Sequence, residues 1–128
     1  MGNDTIYNCY SDKISINTGA GNDSVYNEYR SLSVTIITGA GNDTVENNAS
    51  NVTINTGTGN DPISLTANSD NNVIIYNYDD GNDIVYGFND NDTLSISGGS
   101  VTLKDFTTTT FNINDSTYKL SGGNFTKK

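Results

Sequence analysis

The sequence predicts an all-β protein built as a right-handed parallel β-solenoid, in which short strands stack in successive coils around a narrow core. The tripeptide Gly-Asn-Asp recurs, and its five aspartates are spaced by 19, 20, 18 and 22 residues. A fixed period of this length is typical of solenoids. Each unit also contains two stretches of alternating apolar residues, the pattern of half-buried strands. The recurring aspartates are Asp4, Asp23, Asp43, Asp61 and Asp83.

Composition and charge limit both the fold and the partners. Only 33% of the 128 residues are hydrophobic, and 15 acidic against 6 basic residues give a net charge of -9. Such a composition often indicates disorder, but 8 tyrosines, 4 phenylalanines and many Val, Ile and Thr favour strands. The acidic excess disfavours nucleic acid and favours a cationic partner. No apolar run approaches the roughly 20 residues of a membrane helix, so we expect no membrane insertion.

The residue types that most catalytic and zinc sites need are scarce. The chain has no His, and its one cysteine, Cys9, cannot form an internal disulfide. Arg30 is the only arginine, and the carboxylates recur in a regular row where an active site would need a convergent pocket. We therefore expect the protein not to be an enzyme.

The alternating apolar residues should form ladders inside the coils. One ladder is predicted from Ile6, Val25, Val45, Ile63 and Val85. The facing ladder is predicted from Ile14, Val34, Val52 and a residue near Ile74, with Ile16, Ile36 and Ile54 two positions later on the same face. The interval of 22 residues before Asp83 implies an insertion, so the register between Val73 and Tyr76 stays open.

The last part of the chain departs from the repeat. All four phenylalanines lie at position 88 or later, and the Gly-Asn-Asp signature ends at Asp83. We expect residues 1–97 to form the solenoid and residues 98–128 to form capping strands. Such a cap would cover the strand edges and the apolar cross-section of the final coil.

Two polar or aromatic rows accompany the repeat. The asparagines of the Gly-Asn-Asp turns should form a solvated turn or an asparagine ladder in preference to binding a ligand, and they are Asn3, Asn22, Asn42, Asn60 and Asn82. Tyr7, Tyr26 and Tyr86 each follow an inward position and should point outward. We interpret them as a solvated stripe in preference to a sugar-binding surface.

The glycine-rich turn has the chemistry of a site for a hard cation. An ion between two coils meets oxygens from both, and half of the ~4.8 Å strand spacing is ~2.4 Å. This distance suits calcium, which binds oxygen at about 2.3 to 2.6 Å, and is too long for magnesium. The turn offers backbone carbonyls and aspartate carboxylates without His or Cys. We therefore expect several Ca²⁺ ions along one edge of the solenoid; the alternative is a metal-free solenoid in which Asn and Gly serve the turns.

The turn segment from Thr18 to Tyr26, TGAGNDSVY, resembles the nonapeptide of the RTX family, with Thr in place of the first glycine. The match recurs at 38–46 and 56–64, and the resemblance covers about residues 1–96. Here the motif occurs once per coil, so calcium should line one edge only. The phrase that contains Asp92 also resembles the end of RTX arrays, which makes Asp92 a candidate last ligand.

The resemblance implies ligand sets made of carbonyls and aspartates from two neighbouring turns. The first set is Thr18, Ala20 and Asp23 with Gly39, Gly41 and Asp43. The second is Thr38, Ala40 and Asp43 with Gly57, Gly59 and Asp61. The third is Thr56, Thr58 and Asp61 with Asp79, Gly81 and Asp83, where Tyr78, Asp79 and Asp80 depart from the motif. A partial site would combine Asp4 with the turn from Thr18 to Asp23, which includes Gly19 and Gly21.

The resemblance implies a calcium-binding structural module of a secreted bacterial surface protein such as an adhesin, which folds when it meets extracellular calcium. Its expected partners are calcium ions and neighbouring repeat modules of a parent protein. One alternative is a surface-binding solenoid, for instance ice-binding, although the third motif position reads Ala20, Ala40, Thr58 and Asp80 and gives no regular outward row. Another alternative is a metal-free spacer.

Overall fold

A computed structural model describes residues 1–66, 68–77, 80–89 and 91–97, together with the strands at 103–104, 110–113 and 116–121. The parts of the chain so described contain strands and turns but no α-helix, and hence no helix long and apolar enough to cross a bilayer. The predicted all-β class is confirmed.

The strands follow one another at the spacing of the repeat. The solenoid strands are β1 (Thr5–Asn8), β2 (Ser15–Ala20), β3 (Ser24–Asn27), β4 (Thr35–Ala40), β5 (Thr44–Asn47), β6 (Thr53–Thr58), β7 (Pro62–Leu65), β8 (Val73–Asn77), β9 (Ile84–Tyr86) and β10 (Thr93–Ser97). The C-terminal strands are β11 (Leu103–Lys104), β12 (Thr110–Ile113) and β13 (Ser116–Ser121).

Two parallel sheets form the walls of the coil. The strands β1, β3, β5, β7 and β9 lie side by side in the first sheet, and β2, β4, β6, β8 and β10 form the second. Each coil therefore contributes one strand to each sheet, which makes a parallel β-solenoid of the predicted kind. We call the turns that lead from the second sheet back to the first the glycine edge, and the turns on the other side the opposite edge.

The predicted apolar ladder of the first sheet is confirmed. Ile6 pairs with Val25, Val25 with Val45, Val45 with Ile63, and Ile63 with Val85. The last four of these side chains are at most 2% exposed, so the ladder fills the core. Tyr7 and Tyr26, one residue later, stack outside the sheet with ring centroids 4.8 Å apart.

The facing ladder is confirmed in part. Ile54 pairs with Ile74, so Ile74 continues the row of Ile16, Ile36 and Ile54. The row of Ile14, Val34 and Val52 continues into Asn72, because Thr53 pairs with Val73. The fourth member, expected near Ile74, is therefore Asn72, a buried polar residue in a ladder that was expected to be apolar. The interval of 22 residues from Asp61 to Asp83 has its two extra residues at the glycine edge, because Val85 follows Ile74 by eleven positions whereas Ile63 follows Ile54 by nine. The strand register is kept.

At the opposite edge, a residue in the left-handed region lies two positions before each of the strands β2, β4, β6 and β8. Lys13, Ser33, Asn51 and Asn71 have φ values of 56°, 58°, 61° and 59°. These equivalent positions share one backbone conformation, although none is glycine. Asparagine accepts this region more readily than Lys or Ser.

The C-terminal strands extend the first sheet beyond the last coil. β13 pairs parallel with β9, and Leu120 lies opposite Val85. β12 then pairs antiparallel with β13, and β11 with β12. This placement over the edge of β9 agrees with a capping role for the C-terminal strands. Two of the four phenylalanines, Phe106 and Phe125, lie outside the described residues.

Candidate functional site

The glycine edge carries two facing rows of buried polar side chains. One row lies two positions before the apolar ladder of the first sheet and contains Asp23, Asp43, Asp61 and Asp83, which are 0% to 5% exposed. The other row lies at the end of the second sheet and contains the buried Thr38 and Thr56. The period of two in a strand points both rows into the coil. The site is therefore an internal acidic row lined by threonine hydroxyls.

Hydrogen bonds link the aspartates from coil to coil. The backbone N–H of Asp23 donates to Oδ1 of Asp43 at 2.8 Å, and that of Asp43 donates to Oδ1 of Asp61 at 2.8 Å. The ladder begins with Asp4 donating to Asp23 at 2.8 Å and ends with Asp61 donating to Asp83 at 3.1 Å. One oxygen of each of these carboxylates thus accepts an N–H that a backbone carbonyl would accept in a continuous sheet.

The second oxygen of these carboxylates has no partner. Oδ2 of Asp23, Asp43 and Asp61 is buried and accepts no hydrogen bond. A buried acceptor without a donor costs roughly 1 to 3 kcal/mol, and more if it is charged. Binding of protons or cations by these carboxylates would therefore lower the free energy of the folded chain.

At the C-terminal end of the row, raised pKa values also show that the charged form of the aspartates is unfavourable. Burial raises the pKa of Asp61 to about 6, and repulsion from Asp43 and Asp80 adds to the effect. Burial raises the pKa of Asp83 to about 7, with repulsion from Asp61 as the next cause. The backbone N–H groups that donate to these carboxylates and the nearby hydroxyl of Thr56 oppose both shifts without cancelling them. The folded chain holds this negative charge without a neutralising side chain among the described residues.

The threonines form a second ladder beside the acids. The hydroxyl of Thr18 donates to the carbonyl of Thr38 at 3.0 Å, and that of Thr38 donates to the carbonyl of Thr56 at 3.0 Å. In the next coil Tyr76 takes the place of threonine, and its hydroxyl donates to the carbonyl of Gly81 at 3.3 Å. The carbonyls of Thr38 and Thr56, both predicted as calcium ligands, therefore already accept one hydrogen bond each.

The carbonyls of the third motif position are engaged in the same way. Gly2 donates to Ala20 at 3.1 Å, Gly21 to Ala40 at 2.9 Å, and Gly41 to Thr58 at 2.9 Å. Strand pairing thus continues through the predicted ion-binding turns. A carbonyl oxygen has two lone pairs, so each of these groups keeps one for a further donor or a cation.

The glycines allow neighbouring turns to approach this closely. Gly39 and Gly41 have φ values of 106° and 137°, which side-chain-bearing residues rarely adopt. A Cβ atom on Gly39 would collide with the carbonyl oxygen of Gly19, and one on Gly41 with that of Gly21. The same contact recurs at Gly57 and Gly59. Glycine is therefore required for the stacking of the turns themselves, whether or not an ion is bound.

An exposed asparagine ladder runs beside the buried acids in the opposite direction. Oδ1 of Asn22 accepts a hydrogen bond from the N–H of Asn42 at 2.8 Å, and Oδ1 of Asn42 accepts one from Asn60 at 3.0 Å. The ladder begins at Asn3 and ends at Asn82. Of the two interpretations left open by the sequence, the asparagine ladder is the observed one.

The structure brings the first two predicted ligand sets together along the glycine edge, because Gly19 pairs with Gly39, Gly39 with Gly57, Ala20 with Ala40, and Ala40 with Thr58. The third set is described in part. Gly59 and Gly81 form a bridge and Asp83 continues the acidic row, whereas Asp79 lies outside the described residues. Asp4, at the start of the row, is exposed.

Asp80 occupies its predicted third motif position, whereas Asp92 does not lie where it was expected. Asp80 is buried, and its Oδ2 accepts a hydrogen bond from the backbone N–H of Asn77 at 2.7 Å. Its carbonyl accepts the N–H of Gly59, just as the carbonyl of Thr58 accepts the N–H of Gly41. The motif alignment indicated this third position, but not that the side chain would be buried. Asp92 lies before β10, across from Asn72 and so at the opposite edge, where its Oδ1 accepts from the N–H of Asn72. The expectation that Asp92 joins the last ion site was wrong.

The opposite edge holds a further buried ladder that the sequence analysis missed. Nδ2 of Asn8 donates to Oδ1 of Asn27 at 2.7 Å, and Nδ2 of Asn27 donates to Oδ1 of Asn47 at 2.8 Å. In the next coil Leu65 takes the asparagine position, and Asn47 donates instead to Asn72 of the other sheet at 3.3 Å. The recurrence of Asn after each first strand, as in TIYN and SVYN, was the available signal.

The chemistry open to this site is the binding of a hard cation by oxygen. Among the described residues no three His, Cys, Asp or Glu side chains converge to hold a metal. An ion at the glycine edge would therefore need backbone carbonyls in addition to one or two carboxylates. The unpartnered Oδ2 atoms and the remaining carbonyl lone pairs fit such a donor set.

Comparison of the chain with protein-family models, with curated proteins and with solved structures returned no match.

Proposed function

We propose that this chain is a calcium-binding structural repeat module of the RTX type, part of an exported bacterial surface protein and without catalytic activity. The module would fold when it meets extracellular calcium. Ions at the glycine edge would contact the aspartates of neighbouring coils and the carbonyls of the Thr-Gly-x-Gly segments. In the extracellular space such a solenoid would act as a spacer that carries other domains.

One observation carries the proposal: the buried, unpartnered Oδ2 atoms of Asp23, Asp43 and Asp61. Three like-charged groups in one row repel one another, and the low local dielectric strengthens that repulsion. Calcium would supply the missing charge and the missing partner at once. Metal binding and folding are coupled when the unfolded chain has no preformed site.

A metal-free spacer is the second candidate, and the hydrogen-bond ladders favour it. The N–H groups of Asp23 and Asp43, the hydroxyls of Thr18 and Thr38, and the N–H of Gly41 all donate across the glycine edge without an ion. In that case the solenoid would fold without an ion, and calcium would have no effect on folding.

The substitution Asp43→Asn separates the two candidates. Asparagine keeps an Oδ1 acceptor for the N–H of Asp23 but removes the charge and the anionic Oδ2. Asp12→Asn is the matched control, because Oδ1 of Asp12 also accepts an N–H from the next coil, that of Leu32 at 2.6 Å, but at the exposed opposite edge. Both variants and the parent protein should be titrated with calcium and melted with and without chelator.

For a calcium module, Asp43→Asn lowers calcium affinity at least about tenfold, since loss of one partner of a buried charge pair costs about 2 to 5 kcal/mol. Asp12→Asn leaves the affinity unchanged. For a metal-free spacer, calcium changes the melting temperature of none of the three proteins, and Asp43→Asn is more stable than the parent because it removes a buried charge.

A further inference from the structure

The glycine turn before Asp83 differs from the other turns in length and in what it buries. Two extra residues lie at the glycine edge of this coil. At the third motif position Ala40 and Thr58 are exposed, whereas Asp80 is only 6% exposed. The backbone N–H and Nδ2 of Asn77 both donate to Oδ2 of Asp80, at 2.7 and 3.1 Å. The longer turn therefore buries a carboxylate where the other coils expose an uncharged side chain.

Asp80 lies inside a contact between two stacked glycine turns. The last interface, as we call this contact, is formed by the turns 56–61 and 80–83, and the early interface by the turns 18–23 and 38–43. In the last interface the N–H of Gly59 donates to the carbonyl of Asp80 at 2.6 Å. In the early interface the N–H of Gly21 donates to the carbonyl of Ala40 at 2.9 Å. The two interfaces therefore share a backbone hydrogen bond and differ in the side chain at its acceptor.

The last interface buries three carboxylates, whereas the early interface buries two, those of Asp23 and Asp43. The three are Asp61, Asp80 and Asp83. Repulsion from Asp80 contributes to the raised pKa of both Asp61 and Asp83, so the three charges act on one another. Within this group, Oδ2 of Asp61 is buried without a hydrogen-bond partner. The last interface thus combines the larger negative charge with an open acceptor.

No basic side chain that the structure describes lies near these three acids. Lys13 and Arg30 belong to turns of the opposite edge. A buried charge without a partner is unfavourable, so a third carboxylate increases the energy that a cation would recover on binding. The attraction is proportional to the product of the charges and is strengthened by the low local dielectric, which favours a divalent ion.

We propose that Asp80 makes the last interface the tightest cation site of the row, because its charge attracts the ion although the side chain is not one of the ligands. The inference rests on the proposed function, since it takes calcium as the ion. Oδ2 of Asp80 already accepts two hydrogen bonds from Asn77. Among the described residues no three acidic side chains converge on a metal position, so the third charge acts through space.

The test compares the calcium affinity of the full chain with that of three variants. Asp80→Asn keeps an acceptor oxygen for the N–H of Asn77 and removes the charge. Asp80→Glu keeps the charge. Asp92→Asn is the matched control, because Oδ2 of Asp92 also accepts the N–H of an asparagine three residues earlier, Asn89, but at the opposite edge.

Competition with a chromophoric chelator gives the affinity of the tightest calcium ion. Asp80→Asn should weaken this affinity at least about tenfold, because a buried charge close to a divalent ion is little screened by solvent or salt. Asp80→Glu should retain most of the affinity, and Asp92→Asn should leave it unchanged. Far-UV circular dichroism at saturating calcium should show that all three variants fold like the parent.

Backbone amide NMR of the isotope-labelled parent locates the tightest ion. As a chelator lowers free calcium, the signals of Gly81 and Asp83 should keep their calcium-bound positions after those of Gly21 and Asp23 have changed. The inference is overturned if the early signals change last or together with the late ones, or if Asp80→Asn and Asp92→Asn have equal effects. An Asp80→Asn variant that stays unfolded at saturating calcium would also overturn it, since the residue would then be structural.

These results separate the inference from the proposed function. A melting temperature that ignores calcium, together with a tight ion that depends on Asp80, would disprove the folding role and leave the inference intact. Calcium-dependent melting without a difference between the Asp80→Asn and Asp92→Asn variants would disprove the inference alone. Absence of any calcium binding would disprove both.

Discussion

Asp43 donates its backbone N–H to Oδ1 of Asp61 at 2.8 Å, while Oδ2 of Asp61 lies buried without a partner. The same side chain therefore completes a ladder between coils and leaves a negative oxygen inside the protein. The contact explains why the aspartate recurs at every glycine turn even before any ion is considered. It also makes the stability of the solenoid sensitive to whatever neutralises the row.

In the absence of metal, stability should increase as the pH falls from about 8 to about 5. Folding raises the pKa of Asp61 to about 6 and that of Asp83 to about 7 from 3.8, so the folded chain binds more protons than the unfolded chain in this range. Protonation therefore favours folding, and the gain levels off once the unfolded carboxylates are protonated as well. Melting in chelator at several pH values measures this trend. With saturating calcium the trend should reverse, because protons compete with the ion; a melting temperature in chelator that rises with pH would contradict the account of the row.

Gly39→Ala should destabilise the protein by about 3 kcal/mol, because the new methyl group meets the carbonyl of Gly19 and the backbone stays at positive φ. Gly2→Ala is the control, since a Cβ at Gly2 meets nothing within 4 Å. Denaturant unfolding in calcium compares the two. Equal effects of the two substitutions would mean that the glycine turns do not stack as closely as the structure has them.

Ser33→Asn should stabilise the protein by about 0.5 to 1 kcal/mol. Ser33 has a φ of 58° on an exposed turn, and asparagine tolerates this left-handed region better than serine. The reciprocal change Asn51→Ser, at the equivalent position of the next coil with a φ of 61°, should destabilise by a similar amount. Both free energies of unfolding come from one denaturant series, and shifts of the same sign would disprove the explanation.

The fold could be predicted because the repeat determines it locally. Val25, Val45 and Ile63 follow their aspartates at one fixed distance, so stacking one aspartate on the next sets the register of the whole first sheet. In the second sheet the prediction went wrong at Asn72. The hydrophobic pattern indicated an apolar residue near Ile74 as the successor of Val52 and left the register open, whereas the structure places the buried Asn72 there.

The reason lies in a contact between sheets that a search along one row does not detect. Leu65 interrupts the asparagine row of the first sheet, and Asn72 of the second sheet accepts the hydrogen bond from Asn47 that an asparagine at 65 would have received. For the predicted ion site, too, the sequence indicated where the residues lie but not all of their hydrogen bonds. Its residues lie on one edge, as the motif indicated, but the engagement of the Ala40 and Thr58 carbonyls follows from strand pairing through the turn.

The central claim, that calcium fills the acidic row, is tested most directly by the melting temperature of the unmodified chain in excess chelator and in millimolar calcium at pH 7. At a calcium concentration about 100 times Kd, each independent site adds about 2.7 kcal/mol, which corresponds to a rise of at least about 10 °C for a domain of this size. Magnesium should give a much smaller rise, because it demands shorter distances to its ligands. The account predicts a large, calcium-specific increase in melting temperature, and the same melting temperature in chelator and in calcium would contradict it.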